Sequence, residues 1–227
     1  MPEGSNVEVA HHLSEHDHHF RAEPWQEKTE IVEVIILAIV AIATAWSGYQ
    51  AAKWDGKQAF DYGTSSRLHT QANDASTLGG QQKLLDISTF NTWIQAEQQG
   101  NEQLAALYVR RFSPEFKVAF DAWLKTDPFT DPHAPPGPSF MPEYHNSQTE
   151  MSVELNAQGT EAFDEGTEAR DTADRYIRQT VLFALALFLI AIAQRFRYKG
   201  VRIAAVALAG SVAVVAVLGE IGLPRIY

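Results

Sequence analysis

Cysteine is absent from the 227-residue chain, which removes disulfide frameworks, thiol nucleophiles and thiolate metal sites together. Cations are scarce: 18 Lys and Arg stand against 28 Asp and Glu, a formal net charge of -10. A surface of that sign repels phosphate backbones, so nucleic acid is excluded as a general partner. The sequence also lacks a phosphate-binding Gly-Lys loop, a His-Glu-x-x-His helix and a Gly-x-Ser-x-Gly elbow, and no enzymatic activity is expected. A mean hydropathy of -0.19 resembles that of a soluble domain, but the average conceals two kinds of segment. Residues 177–193 carry one charge and 203–219 none, whereas 1–30 and 150–175 are dense in acids.

Three stretches have the length and apolarity of transmembrane helices: 31–52, 177–193 and 201–223. Trp25 precedes the first and Trp46 lies near its end. At helical rise they are about 31 Å apart, close to the ~30 Å hydrocarbon core, as in an aromatic belt at two interfaces. A cleaved signal peptide is the competing reading, since Ala43-Thr44-Ala45 resembles a cleavage site. The preceding 30 residues hold seven acids against Arg21 and Lys28, which is the wrong charge for a leader, and an uncleaved anchor is expected. Arg195, Arg197, Lys199 and Arg202 crowd the turn between the second and third spans. Short basic loops stay cytoplasmic, so the N-terminus is expected inside and residues 53–175 outside.

Small residues recur in steps of four and three on both sides of the intervening region. One run is Ala45, Tyr49, Ala52, Gly56, Ala59, Gly63 and Ser66, and the other Leu155, Gly159, Ala162, Gly166, Ala169, Ala173 and Tyr176. This is the repeat of a coiled-coil seam whose small side chains let backbones approach. The expectation is an antiparallel stalk, 53–78 against 150–175, with Ala52 near Tyr176 and Ser66 near Ala162. Gly79-Gly80 should break the first stalk helix. A small helical head follows at 81–125, with Leu84, Ile87, Phe90 and Ile94 on one face and Phe116, Phe120 and Leu124 on another. Six of the ten prolines fall between 128 and 142, giving a stiff loop over 127–142. Asp127, Asp131 and His133 in it read as turn residues. The fold class expected is all-α, integral to a lipid bilayer, with three transmembrane helices, an antiparallel stalk and a head.

Five of the eight His lie in the acidic tail 1–30. In a helical tail, His12, His16 and His19 with Glu15 would share a face, and such a set could hold a divalent Zn, Ni or Cu ion or respond to pH. No other cofactor is suggested. Glu33 and Glu220 are the acids inside the apolar spans, each near an opposite interface, and an intramembrane acid is a candidate for an ion path. In the third span Ala205, Ala209, Ala213 and Ala216 form a stripe leading to Glu220, the pattern of a packing face within the monomer or between copies.

The segment Trp46-Ser47-Gly48-Tyr49-Gln50-Ala51-Ala52-Lys53-Trp54, followed by a Gln/Ala-rich helical region and two closing spans joined by a basic turn, resembles a bacterial family of small three-span membrane proteins of unassigned activity. That resemblance implies an inner-membrane location and transfers no functional residue. The role expected is a non-enzymatic scaffold or accessory subunit of a membrane assembly, homo-oligomeric through the third span. The competing roles are an oligomeric channel or transporter, lined by Glu33, Glu220, Thr44 or Gln194, and a metal or pH sensor acting through the His tail.

Overall fold

The computed structural model describes residues 24–196 and 198–227, and every long element among them is a helix: α1 (Pro24–Gln98), α2 (Glu102–Val109), α3 (Pro114–Leu124), α4 (Ser147–Ala193) and α5 (Lys199–Ile221). A 3-10 turn, Pro138–Phe140, sits in the loop before α4. The His-rich tail to residue 23 lies outside the described residues, and with it the metal set His12, Glu15, His16 and His19.

Helix α1 runs for 75 residues because nothing in it forces a stop: the sequence has no proline between Pro24 and Pro114. Gly79-Gly80 do not break it, contrary to expectation. Gly79 instead permits a close approach, since a Cβ there would lie 2.6 Å from Thr149 Oγ1 and 2.8 Å from Asn146 Oδ1. The helix ends where Gly100 takes the left-handed conformation (φ 69°). Asn101 N–H then donates to Ala96 O at 2.9 Å and Gly100 N–H to Glu97 O at 3.0 Å, the paired bonds of a Schellman stop. The same Asn101 accepts from Leu104 N–H at 3.1 Å and so starts α2.

The chain divides into two compact units, one comprising the described residues through Gly56 with Ala169–Tyr227, the other Lys57–Glu168.

In the Lys57–Glu168 unit the aromatic residues make a core. Phe90, Trp93, Phe112, Phe116, Phe120 and Trp123 are buried with Ala96 and Ala105, and their rings meet mostly edge to face, Trp93 and Phe120 at 4.8 Å between centroids. Leu84 and Leu124 are not part of it. Leu84 is exposed and Leu124 partly so, because the buried phase of α1 here runs through Asp86, Phe90, Trp93 and Ala96. The proline-rich loop closes over this core: Trp123 Nε1–H donates to Pro135 O at 2.7 Å, and Gly137 lies against Phe90. Asp131 accepts from His133 N–H at 2.8 Å, a local turn bond. Asp86 accepts from the Ser113 hydroxyl at 3.1 Å while the same hydroxyl oxygen accepts from Phe116 N–H at 3.2 Å, so one buried carboxylate anchors the cap of α3. Burial pushes the Asp86 carboxyl above the usual carboxylate range, and the Ser113 hydrogen bonds offset part of that.

Below this core α1 and α4 pair antiparallel. Gly159 and Gly166 of α4 are buried and Ala162 is half-buried. The rings of α1 fill the space their missing side chains leave: Cβ atoms at Gly166 and Gly159 would come within 2.6 Å of Tyr62 Cδ1 and 3.0 Å of His69 Cε1. Ser65 donates to Gly159 O at 2.7 Å, His69 Nδ1 meets Asn156 Oδ1 at 2.8 Å, and Lys57 pairs with Asp61 at 2.6 Å.

The α1 side of the expected seam is corrected. Ala59 and Gly63 are exposed, as are Ala52 and Gly56 in the other unit. The residues that face inward lie two positions further on: Trp54, Gln58, Asp61, Ser65 and Leu68, then Ala72, Ala75 and Gly79, all buried or half-buried. The repeat of four and three is right and its phase is not. Gly159 and Gly166 of α4 supply the close approach to Tyr62 and His69, Gly79 of α1 supplies that to Thr149, and Gly56 and Gly63 of α1 have no atom within 4 Å of where a Cβ would stand.

The other unit holds the three helices that are long and apolar enough to cross a membrane: the N-terminal part of α1, the C-terminal part of α4, and α5. Their large apolar side chains, among them Ile35, Ile39, Ile42, Val181, Phe188 and Leu218, point outward, as a lipid-facing surface requires. Inside, Val40, Phe183, Ala186 and Ala216 form a closely packed middle layer.

Candidate functional site: polar groups buried at the two ends of the spans

Glu33 of α1 is fully buried. Arg202, in the first turn of α5, grips it with both prongs of the guanidinium, Nε to Oε1 and Nη2 to Oε2, each at 2.8 Å. Both oxygens of the Glu33 carboxylate, read from the sequence as a candidate for an ion path, are thus spent on an internal ion pair. Arg202 is likewise committed, so one of the four cations of the α4–α5 turn is withdrawn from the surface. Arg197 lies outside the described residues.

About 21 Å along α1 a second polar group begins, with Ser47 and Gln50 both fully buried. Ser47 donates to Tyr176 O at 3.0 Å. The Gln50 amide clamps the backbone of Ile226, donating to its carbonyl and accepting from its N–H, both at 3.0 Å. Trp54 Nε1–H and the Tyr176 hydroxyl both donate to Pro224 O at 3.1 Å. These bonds tie the segment after α5 to α1 and α4. Gln179 and Glu220, 8% and 9% exposed, complete this end. Gly219 makes room for the Gln179 amide, since a Cβ would lie 2.7 Å from Nε2.

Between the two polar ends lies the middle layer of Val40, Phe183, Ala186 and Ala216. Thr44 turns its hydroxyl back to Val40 O at 2.7 Å, within its own helix, and Gln194 is exposed. The structure thus brings none of Glu33, Thr44, Gln194 and Glu220 together.

Of the packing residues read from the sequence, Ala169 and Ala173 of α4 and Ala209 of α5 are buried, while Ala205 and Ala213 are half-buried. The α5 stripe therefore faces the chain's own helices: Ala213 and Ala216 pack with Phe183 and Val40. Sequence reasoning missed Ser47, Gln50 and Gln179. A signal for the first two existed, because Ser47, Gln50 and Trp54 recur at helical spacing on the side opposite the small-residue run. No protein-family model, no curated protein and no solved structure matches this chain.

Proposed function

We propose that this chain is a non-enzymatic, multi-pass membrane protein that serves as a scaffold or accessory subunit of a membrane assembly, its three spans forming a packed anchor for the helical region 53–175. The observation that carries this reading is the distribution of polar groups. Glu33 is consumed by Arg202 and Gln50 by Ile226, and the layer between the two polar ends is made of Val40, Phe183, Ala186 and Ala216. A conduction path needs polar or wet groups at mid-depth, and this bundle keeps its buried polar side chains at its two ends instead.

The orientation is part of the proposal: N-terminus and α4–α5 turn in the cytoplasm, residues 53–175 outside. It rests on Arg195, Arg197 and Lys199 once Arg202 is set aside. A bacterial inner-membrane location rests on the resemblance of residues 46–54 alone. Homo-oligomerisation through the alanine stripe of α5 has lost its free face, because Ala209 and Ala216 are fully buried within the monomer. A second copy or another membrane protein would have to dock elsewhere.

The test is reconstitution of the purified chain into proteoliposomes, with cation and anion flux measured across a set potential and the mass of the nanodisc-embedded particle measured in parallel. The proposal expects no flux above protein-free vesicles. Flux that Glu220→Gln abolishes would overturn it in favour of a channel.

A further inference from the structure

We propose that the Glu220 end of the span bundle binds a small monovalent cation, with the Glu220 carboxylate and the Gln179 side-chain oxygen as ligands. The two ends of the bundle differ in one respect that chemistry does not leave neutral. Glu33 has both oxygens bonded to Arg202, whereas Glu220, 9% exposed, has an Oε1 with no hydrogen-bond donor. Gln179 Oε1 is in the same condition. Two acceptors shielded from water with no donor are costly, and a cation held between them would satisfy both, where a single added donor would satisfy one.

The placement of these groups agrees with a positive occupant. The Gln179 amide lies over Gly219, the residue beside Glu220, with its Oε1 2.9 Å from where a Cβ would stand. Glu220 is in the last turn of α5, where the helix dipole is negative and a carboxylate is disfavoured while a cation is favoured. Other charged or titratable groups that act on it are Tyr176 on α4 and Arg225 in the segment after α5, with Tyr227 near Tyr176. Tyr176 is fully buried and its hydroxyl donates to Pro224 O, so it offers Glu220 no proton. Arg225 forms no ion pair with Glu220 within 4.0 Å among the described residues. Carboxylate and amide oxygens are hard ligands that suit an alkali cation, and one carboxylate balances one positive charge.

The experiment uses the full chain in lipid nanodiscs at pH 8 in sodium, potassium or choline chloride at equal ionic strength. Thermal unfolding is followed by tryptophan fluorescence, and sodium is titrated calorimetrically into the choline form. The expected result is a saturable rise of several degrees in unfolding temperature with sodium or potassium over choline. That rise should vanish in Glu220→Gln and in Gln179→Leu but persist in the exposed-site control Glu165→Gln. If a bundle variant does not fold, saturable heat of sodium binding to the wild type carries the test. Identical behaviour in all three salts, or an alkali response surviving in both bundle variants, overturns the proposal. So does a protein that answers to pH and not to alkali cation, because a proton would then occupy the place. Binding without flux leaves the scaffold reading intact, while binding with flux keeps the cation site and removes that reading.

Discussion

Removing either partner of the Glu33–Arg202 pair isolates a buried charge. In Arg202→Met the Glu33 carboxylate, fully buried, loses two hydrogen bonds of 2.8 Å and has no other partner at that end of the bundle among the described residues. Breaking a buried pair from one side costs about 3–5 kcal/mol. The lower end of that range is expected here, because in a membrane the unfolded reference state also finds partners. Glu33→Gln should cost less, because the Gln oxygen still accepts from the guanidinium and Glu30 still acts on its charge. The double variant Glu33→Leu with Arg202→Met replaces both charges by apolar groups of comparable volume and should return to within about 1 kcal/mol of wild type, or exceed it. The assay is equilibrium unfolding in mixed micelles, followed by circular dichroism and by the fluorescence of the five Trp residues. Single variants that both stay within about 1 kcal/mol of wild type, or losses that simply add in the double variant, would refute the claim that this pair is the organising contact at its end of the bundle.

Gly166→Ala should destabilise the Lys57–Glu168 unit by about 1–3 kcal/mol, because its Cβ would lie 2.6 Å from the Tyr62 ring. Gly63→Ala, open on all sides, should instead stabilise by up to ~1 kcal/mol, and thermal unfolding of the pair checks both signs. Phe116→Ala, at a fully buried position of the aromatic core, should cost about 3–5 kcal/mol and expose hydrophobic surface to a reporter dye. Asp86 makes a pH prediction. Its folded pKa lies above the unfolded one, so between the two the unfolded chain holds fewer protons and stability falls as pH rises. The fall should begin in the ordinary carboxylate range, end above the raised value of Asp86, and be missing from the Asp86→Asn profile measured alongside wild type.

The spans were legible because composition alone marks them, and α4's half of the helix pair was legible because its glycines and alanines occupy successive buried positions. The phase of α1 was not. Its inward face carries Ser47, Asp61 and Ser65, which read as surface residues until their partners are known: Tyr176 O for Ser47, Lys57 for Asp61 and Gly159 O for Ser65. The exposed Ala and Gly residues offered a more conventional seam two positions away. Glu33 stands out in the sequence as an acid inside an apolar span, but its counter-ion lies 169 residues distant, among the cations of the α4–α5 turn. No spacing rule reaches that far. Gln50 carries a spacing signal for its inward face, but its partner is a backbone segment 176 residues later, which no spacing names.

The proposed orientation puts residues 53–175 and the α4–α5 turn on opposite sides of a membrane. A chain without cysteine allows a direct measurement with single introduced thiols. Leu85 and Phe140, 65% and 70% exposed, report on one side, and Gln194 in the turn reports on the other. With a membrane-impermeant maleimide on intact bacterial cells, Leu85→Cys and Phe140→Cys should label at once and Gln194→Cys only after permeabilisation. Labelling of Gln194→Cys in intact cells while Leu85→Cys and Phe140→Cys stay protected would contradict the orientation, and equal labelling of all three would contradict the membrane-spanning bundle itself.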